Sequence, residues 1–408
     1  QSRSSAASDV YKRQVMQAYR EAARRHLVSG EVGRGTYVLA DSHEASLFHL
    51  KQPRLPADGI DLSTNVPVHD GGSDDLSRTL QRLIADGRLD ALQAYAPAEL
   101  EQRGRVAVSQ WLQQRGVHTP PSQVALCAGA QQGVSAALLA LCEAGDPVLA
   151  EAFTAPGIKA AARQLRLPLH GVAMDERGIL PQDLDRQVRA TGARVLVLTP
   201  CLQNPTGSSM DGERRQRIAE LIERHGLWLI EDDVYGALGE QAPLAATVPA
   251  RSLLVSSLSK TVAPGLRLGF MQGPQALLKR IDPQGHATSW AVSPLCLALA
   301  CEWIEDGTAT RKLAWQREEL QQRWRLANRV LGPRMPPGRE VAPHLWLQPP
   351  DSAALVAACR AADVEVVPAE VFAVGPAQAS AIRISLAAAR SRAELKQALE
   401  RIAEAWPL

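Results

Sequence analysis

Residues 193–232 constrain the fold more than any other stretch. "ARVLVLTP" (193–200) is a β-rich apolar run without polar alternation, as a strand buried on both faces of a sheet requires. "DGERRQRIAELIERHG" (211–226) follows as an amphipathic helix, and "LWLIEDD" (227–233) returns to a strand. The pattern extends both ways. "VALCAGAQQGVSAALLALCEAGD" (124–146) reads as strand, glycine turn and helix. "VLAEAF" (148–153) is strand-like, and "PGIKAAARQLR" (156–166) is a helix with proline in its first turn. "SLLVSSLS" (252–259) and "RLGFMQG" (267–273) complete the set. Strands alternating with helices predict an α/β domain on a doubly wound, mainly parallel sheet. Such sheets take ligands at the carboxyl ends of their strands. Gly129 to Gln131, Asn204, Asp232 and Lys260 all fall at those places.

Two long helical stretches, near 287–306 and 310–331, follow. After "GPRMPPG" (332–338) the pattern becomes strand ("HLWLQ"), helix (352–362), strands ("VEVVPAEVF", "AIRISLA") and a last helix. Ser391 and Glu394 form a capping-box pattern at the start of that helix. The organisation expected is a large domain over 59–330 and a smaller α+β domain over 331–408, since 408 residues exceed what one core serves. Residues 1–14 are small, polar and aperiodic, and read as a non-native leader or fragment edge. Residues 15–38 contain a helical repeat and then a hairpin signal in "SGEVGRGTYV", and 39–58 read as a linker.

A formal net charge of +2 is too balanced to imply nucleic acid or an anionic membrane as a whole-chain partner. No apolar stretch approaches the roughly 18 residues of a membrane span, and no secretory signal is visible. The six cysteines are scattered without a Cys-x-x-Cys pair. They read as reduced thiols of a cytoplasmic protein, with no metal site expected.

Four motifs occur in order: "NPTG" (204–207), "EDDVYG" (231–236), "SLSKTVAPGLRLGF" (257–270) and "IRISLA" (382–387). Together they resemble the fold-type I pyridoxal-phosphate (PLP)-dependent aminotransferases, over most of residues 59–408. That resemblance implies an internal aldimine between Lys260 and the cofactor aldehyde, with the same amine serving as acid–base catalyst once substrate displaces it. It assigns Asp232 to the ring nitrogen, and Tyr235 and Asn204 to the phenolic oxygen. Asp233 is read as a structural neighbour. Ala130 and Gln131, at the strand-to-helix junction, match the phosphate loop. Ser257, Ser259 and Arg267 complete the phosphate cup. Arg383 matches the clamp for a substrate α-carboxylate, and Asn65, in "IDLSTNVP", the segment that closes over the substrate. Tyr95 resembles a tyrosine that crosses a dimer interface to the partner's phosphate, which implies a homodimer.

Two positions depart from the pattern. In "EAFTAPG" (151–157), Ala155 stands where the family places an aromatic residue over the ring, with Phe153 two positions away as a substitute. Leu100 replaces the usual glycine after Tyr95. Both point to slow turnover.

"VMQAYREAARRHLVSGEVGRGTYV" (15–38) resembles the end of a GntR-type winged helix: the back of the recognition helix, then the wing. Joined to an aminotransferase-like domain, it implies a MocR-type regulator that senses the cofactor or an amino acid or amine ligand. The front of the module is missing, so DNA binding is expected of the full-length parent and not of this chain. Three functions follow for comparison: an effector-sensing domain, an active class I/II aminotransferase working by two half-reactions, and a scaffold that has lost the cofactor. The last is disfavoured by the complete residue set, and the wing favours the first. Fold alone does not choose between the other two.

Overall fold

A computed structural model describes residues 59–71, 74–288, 291–336 and 340–407, with backbone only for 282–288, and the backbone of strands Val28–Glu31 and Gly35–Val38. The chain divides into two units, 1–54 and 55–408. In the first, the two strands pair antiparallel from Val28 opposite Val38 to Glu31 opposite Gly35, the hairpin expected from the glycine-bearing turns. The expected leader (1–14), recognition-helix segment and linker lie outside the described residues.

The second unit is built on a seven-stranded sheet. Its strands are β1 (Val124–Cys127), β2 (Val148–Glu151), β3 (Leu169–Val172), β4 (Val195–Leu198), β5 (Trp228–Asp232), β6 (Ser252–Ser257) and β7 (Gly269–Gln272). Their spatial order is β1-β7-β6-β5-β4-β2-β3. All neighbours are parallel except β7, which runs antiparallel to both β6 and β1. Strand β4 shows why the apolar runs form strands. Val195 and Val197 enter one core, Leu196 and Leu198 the core on the opposite face, and all four are at most 1% exposed. Each such side chain contributes about 1.5–3 kcal/mol by leaving water. The helix Gly212–His225 that returns the chain to β5 is capped by Asp211, whose carboxylate accepts from Arg214 N at 2.8 Å. It ends at Gly226 with φ 65°.

The helix Thr308–Leu331 joins two cores: Leu313 and Leu320 pack with the large domain, Leu326, Ala327 and Leu331 with the small one. The small domain carries an antiparallel sheet of β8 (His344–Leu347), β9 (Val367–Pro368) and β10 (Ile382–Ser385), ordered β8-β10-β9. The helices Ser352–Ala361 and Arg392–Glu404 belong to the same domain, and Ser391 caps the second by accepting from Glu394 N at 3.1 Å. Ile60 and Leu62 also join the small-domain core, with Ile60–Asp61 pairing parallel to Val364–Glu365. Sequence periodicity passes over the helix Gln275–Thr288, whose Pro283 and Gly285 are poor helix formers. Among the described residues, no helix is long and apolar enough to cross a membrane.

Candidate active site

Strand register gathers the motifs at one edge. Asp232 is the last residue of β5 and lies opposite Val255 of β6. Ser257 ends β6 opposite Gly269, and Gly269 lies opposite Cys127 at the end of β1. The antiparallel β7 therefore brings Arg267, which precedes it, to the same edge as the three forward strand ends. A tight turn, Leu258–Lys260, follows β6; Ser257 Oγ accepts from Ser259 N at 3.3 Å, and Leu258 N donates to Leu268 O.

Lys260 is partly buried, and its Nζ donates to Asn65 O at 2.6 Å. Burial, with the Arg383 charge nearby, pushes its pKa down to about 8, partly offset by Asp232. Burial also pushes Asp232 up to about 6, against its bond from Val234 N and the Lys260 charge. The adjacent Asp233 does something different. It turns to Arg115, whose Nη2 donates to it at 3.0 Å with both side chains buried. Tyr235 is buried, pushed up to about 12 by desolvation, and so keeps its hydroxyl proton.

The opposite side comes from the small domain. On β10, Ile382 and Ile384 enter the core, while Arg383 and Ser385 take the other face. On β8, Leu345 and Leu347 enter the core, while His344 and Trp346 stand opposite Ser385 and Arg383. Arg383 Nη1 donates to Asn204 Oδ1 at 2.9 Å, Nη2 donates to Ser63 O, and the guanidinium lies 4.9 Å from the Phe372 ring centroid. Burial lowers its pKa to about 10, which leaves it charged at neutral pH.

The helix Ala130–Leu141 starts at Gly129, whose φ of 95° suits glycine. A Cβ there would lie 2.6 Å from Arg267 Nη2, and a Cβ on Gly269 would lie 2.5 Å from the Gly129 carbonyl carbon. Loop, strand and arginine are thus packed as closely as backbone allows. Arg267 itself has φ 47°, a strained conformation for a non-glycine residue, and donates to Ala128 O at 3.2 Å. The first N–H groups of a helix lack partners within it and favour an anion. Gln131 sends its Nε2 to Gly157 O at 2.8 Å.

Among the described residues, Asn65 Oδ1, Ser259 Oγ, Thr261 Oγ1, Arg383 Nε and Ser385 Oγ are buried without a hydrogen-bond partner in the protein. Such groups are rare in a finished interior. Asn65, Ser259 and Thr261 adjoin Lys260 by hydrogen bond or in sequence, and Arg383 and Ser385 share one face of β10; Arg105 Nε, Thr199 Oγ1 and Arg215 Nη2 are unpartnered as well. With an anion-favouring helix start and an arginine, the set fits a polar ligand bearing a phosphate and a carboxylate.

Of the candidates from sequence, hydrogen bonds connect Lys260, Asn65 and Tyr235, and separately Asn204 and Arg383. Ser257, Ser259, Arg267 and Ala130 share the strand-end edge. Tyr95 differs in being 76% exposed. Ala155 caps the helix Pro156–Gln164 and packs on the apolar core, while the Phe153 ring lies 5.6 Å from that of Trp346. Leu100 is buried in a core.

Sequence reading missed three residues. His344 is buried between Asn65 Nδ2, at 3.0 Å from its Nδ1, and Gln203 O, at 2.8 Å from its Nε2. Gln203 ties the Asn204 loop together, donating to Phe153 O and accepting from Thr206 N and Oγ1. Glu151 ends β2 fully buried, accepts from Thr199 N and Thr154 Oγ1, and is raised by burial to about 7. His344 left a readable signal in "HLWL", where it alternates with two core leucines.

The sequence signature of aminotransferase class I and II matches residues 57–402. The chain belongs to this family. Its relatives carry two kinds of name, transcriptional regulator and aminotransferase. It is 27% identical over 391 residues to the uncharacterized HTH-type transcriptional regulator YdeF of Bacillus subtilis, covering 94% of this chain and 84% of that one. It is 31% identical over 229 residues to the mouse mitochondrial kynurenine/alpha-aminoadipate aminotransferase, covering 48% of this chain and 54% of that one. The chain spans about half the length of other curated relatives it matches, 46% for the regulator YisV of B. subtilis. In fold, the aminotransferase-like chain matches the Pyrococcus horikoshii kynurenine aminotransferase, solved with PMP, with a TM-score of 0.76 at 21% identity, over 86% of this chain and 91% of that one.

Proposed function

We propose that this aminotransferase-like chain binds pyridoxal phosphate through Lys260 and serves as the effector-sensing part of a MocR-type transcriptional regulator. One observation carries the regulatory part: similarity to an HTH-type regulator covers 94% of the chain, a longer stretch than the family match at 57–402. The hairpin at 28–38 is consistent with a wing. Residues 15–38 would then end a winged helix, with 59–330 and 331–408 as the large and small domains, the two ends of the first, at Ile60 with Leu62 and at Leu326 with Ala327, packing into the core of the second. DNA contact would belong to the whole regulator.

Pyridoxal phosphate, when bound, supplies an aldehyde and an electron-withdrawing ring. Ser257, Ser259, Arg267 and the helix start at Ala130 and Gln131 would hold the phosphate. Asp232, ionised at neutral pH, would hold a proton at the ring nitrogen. Tyr235 and Asn204 would bond the phenolic oxygen. Arg383, with its unpartnered Nε, would bind the carboxylate of an amino acid, and Asn65 would help close the site over it. The lowered pKa of Lys260 brings the neutral form of its Nζ closer to neutral pH, where it can take and return a proton. The exposed Tyr95 would lie in a homodimer interface.

A second reading, an active aminotransferase, is favoured by the partly buried lysine with its lowered pKa and by the similarity to the mouse enzyme. One experiment tests both. The chain and Lys260→Ala are mixed with pyridoxal phosphate, reduced with borohydride and mapped by peptide mass. A pyridoxyl mass on the Lys260 peptide of the unmodified chain is expected; its absence overturns the cofactor assignment. An amino-acid pool is then added to unreduced protein. Pyridoxamine phosphate forming at about 1 per second or faster favours the enzyme, and its failure to form favours the sensor.

A further inference from the structure

The proton arrangement around Tyr235 is dictated by a backbone carbonyl two residues away in a hydrogen-bonded chain. Gln203 O can only accept, and it already accepts from Gly207 N at 2.6 Å. His344 Nε2, 2.8 Å from that oxygen, must therefore carry a hydrogen. In a neutral imidazole the other nitrogen, Nδ1, is then an acceptor. The Asn65 atom 3.0 Å away has to be the amide nitrogen. That same nitrogen lies 3.1 Å from Tyr235 Oη, so the tyrosine oxygen accepts and its own proton is left to point elsewhere. Asn65 Oδ1 is turned away and has no partner in the protein.

We propose that His344 is a positioning residue: through Asn65 it directs the Tyr235 hydroxyl proton into the site, where it donates to an oxyanion such as the phenolic oxygen of pyridoxal phosphate. This rests on the cofactor assignment above. A doubly protonated His344 would require Asn65 Oδ1 to face it, and a flipped amide would present oxygen to Tyr235 as well. The hydroxyl would then turn back to the amide. The groups facing His344 keep it neutral. Burial, the positive charges of Arg383 from β10 and Lys260 from the turn after β6 lower its pKa to about 3; Tyr235 meets the ring edge-on and is itself uncharged.

The test reads the pH at which the absorption of bound pyridoxal phosphate changes. A donor to the phenolic oxygen stabilises its negative form, so loss of that donor moves the transition upward. His344→Phe should raise the transition by about one unit, and His344→Asn, which restores an acceptor near Nδ1, should largely reverse it. Asn65→Leu, which cuts the chain one step later, should give the same rise and serves if His344→Phe does not fold. In a Tyr235→Phe background each of these changes should move the transition by less than about 0.2 unit, because there is no hydroxyl to direct. Equal shifts in both backgrounds, or no shift in either, overturn the role of His344. Failure of the unmodified chain to give the Lys260 adduct overturns the cofactor assignment and this inference with it, whereas a normal adduct with equal shifts removes His344 alone.

Discussion

The two sides of the site are built on different principles. The large-domain side takes its groups from strand ends: Asp232 closes β5, and Asn204, Tyr235 and Lys260 lie in the segments after β4, β5 and β6. The small-domain side takes them from alternate positions inside strands. His344, Trp346, Arg383 and Ser385 share one sheet face, and the residues between them form the core on the other. A strand-end group is placed by the loop that follows its strand, although Tyr235 also packs into a core. A strand-face group is placed by register, because its neighbours on either side anchor the strand in the core. The sides also differ in charged groups. The large-domain side carries both signs: buried Glu151 and Glu231 and partly buried Asp232, raised by desolvation to about 7, 8 and 6, with Lys260 and Arg267 beside them, whereas the small-domain side presents Arg383.

The sharpest break in that comparison is at the carboxylate that has a partner. Arg115 donates through Nη2 and Nε to Asp233 and through Nη1 to Gln241 O. Arg115→Met leaves a buried carboxylate unpaired and should cost about 3–5 kcal/mol in urea unfolding. The double variant Arg115→Met, Asp233→Leu should recover most of that loss. No recovery would mean that Arg115 matters for packing and the Gln241 bond instead of for charge.

Glu151 sharpens the contrast in the opposite direction, as a buried acid without a cationic partner among its described contacts. Its pKa rises from the ordinary 4.5 to about 7 on folding, chiefly by desolvation. Below pH 4.5 it is protonated in both states. Between pH 4.5 and 7 the unfolded chain releases its proton while the folded chain keeps it, so stability falls as pH rises and then stays low. Glu151→Gln has no proton to lose, and its amide can still accept from Thr199 N and donate to Thr154 Oγ1. It should gain up to about 3 kcal/mol at pH 8 and under about 1 kcal/mol at pH 5. A gain independent of pH would assign the effect to packing.

The same division explains what was legible in the sequence. Strand-end groups sit in contiguous motifs, so Asn204, Asp232, Tyr235 and Lys260 could be named from short strings, and the alternation of strands and helices foretold the sheet on which they converge. Arg383 could be named in the same way, because "IRIS" is itself a short motif. The alternation in "HLWL" marks the face His344 takes, but what that face meets depends on pairing with β10, about forty residues later, and register between distant strands is not written locally. Arg115 and Asp233 are separated by a still longer loop of chain. Glu151 leaves no local signal for a different reason: only its desolvation in the folded chain marks the carboxyl.

The smallest effects fall on two orphaned hydroxyls, one from each side. Ser259 Oγ and Ser385 Oγ are both buried without a partner in the protein. Leaving a hydroxyl unsatisfied costs free energy, so Ser259→Ala and Ser385→Ala should each raise the stability of the ligand-free chain by about 1 kcal/mol. The two should part when inorganic phosphate is added. Ser259 belongs to the strand-end edge with Arg267 and the helix start, so its alanine variant should bind phosphate about tenfold more weakly, read as a smaller rise in melting temperature. Ser385 stands on the small-domain face beside Arg383, and its variant should respond to phosphate as the unmodified chain does. If both variants lose the response equally, phosphate does not discriminate between the two sides, and the assignment of the anion to the strand ends fails. If neither loses it, Ser259 is outside the anion site, and Arg267 with the helix start holds phosphate without it.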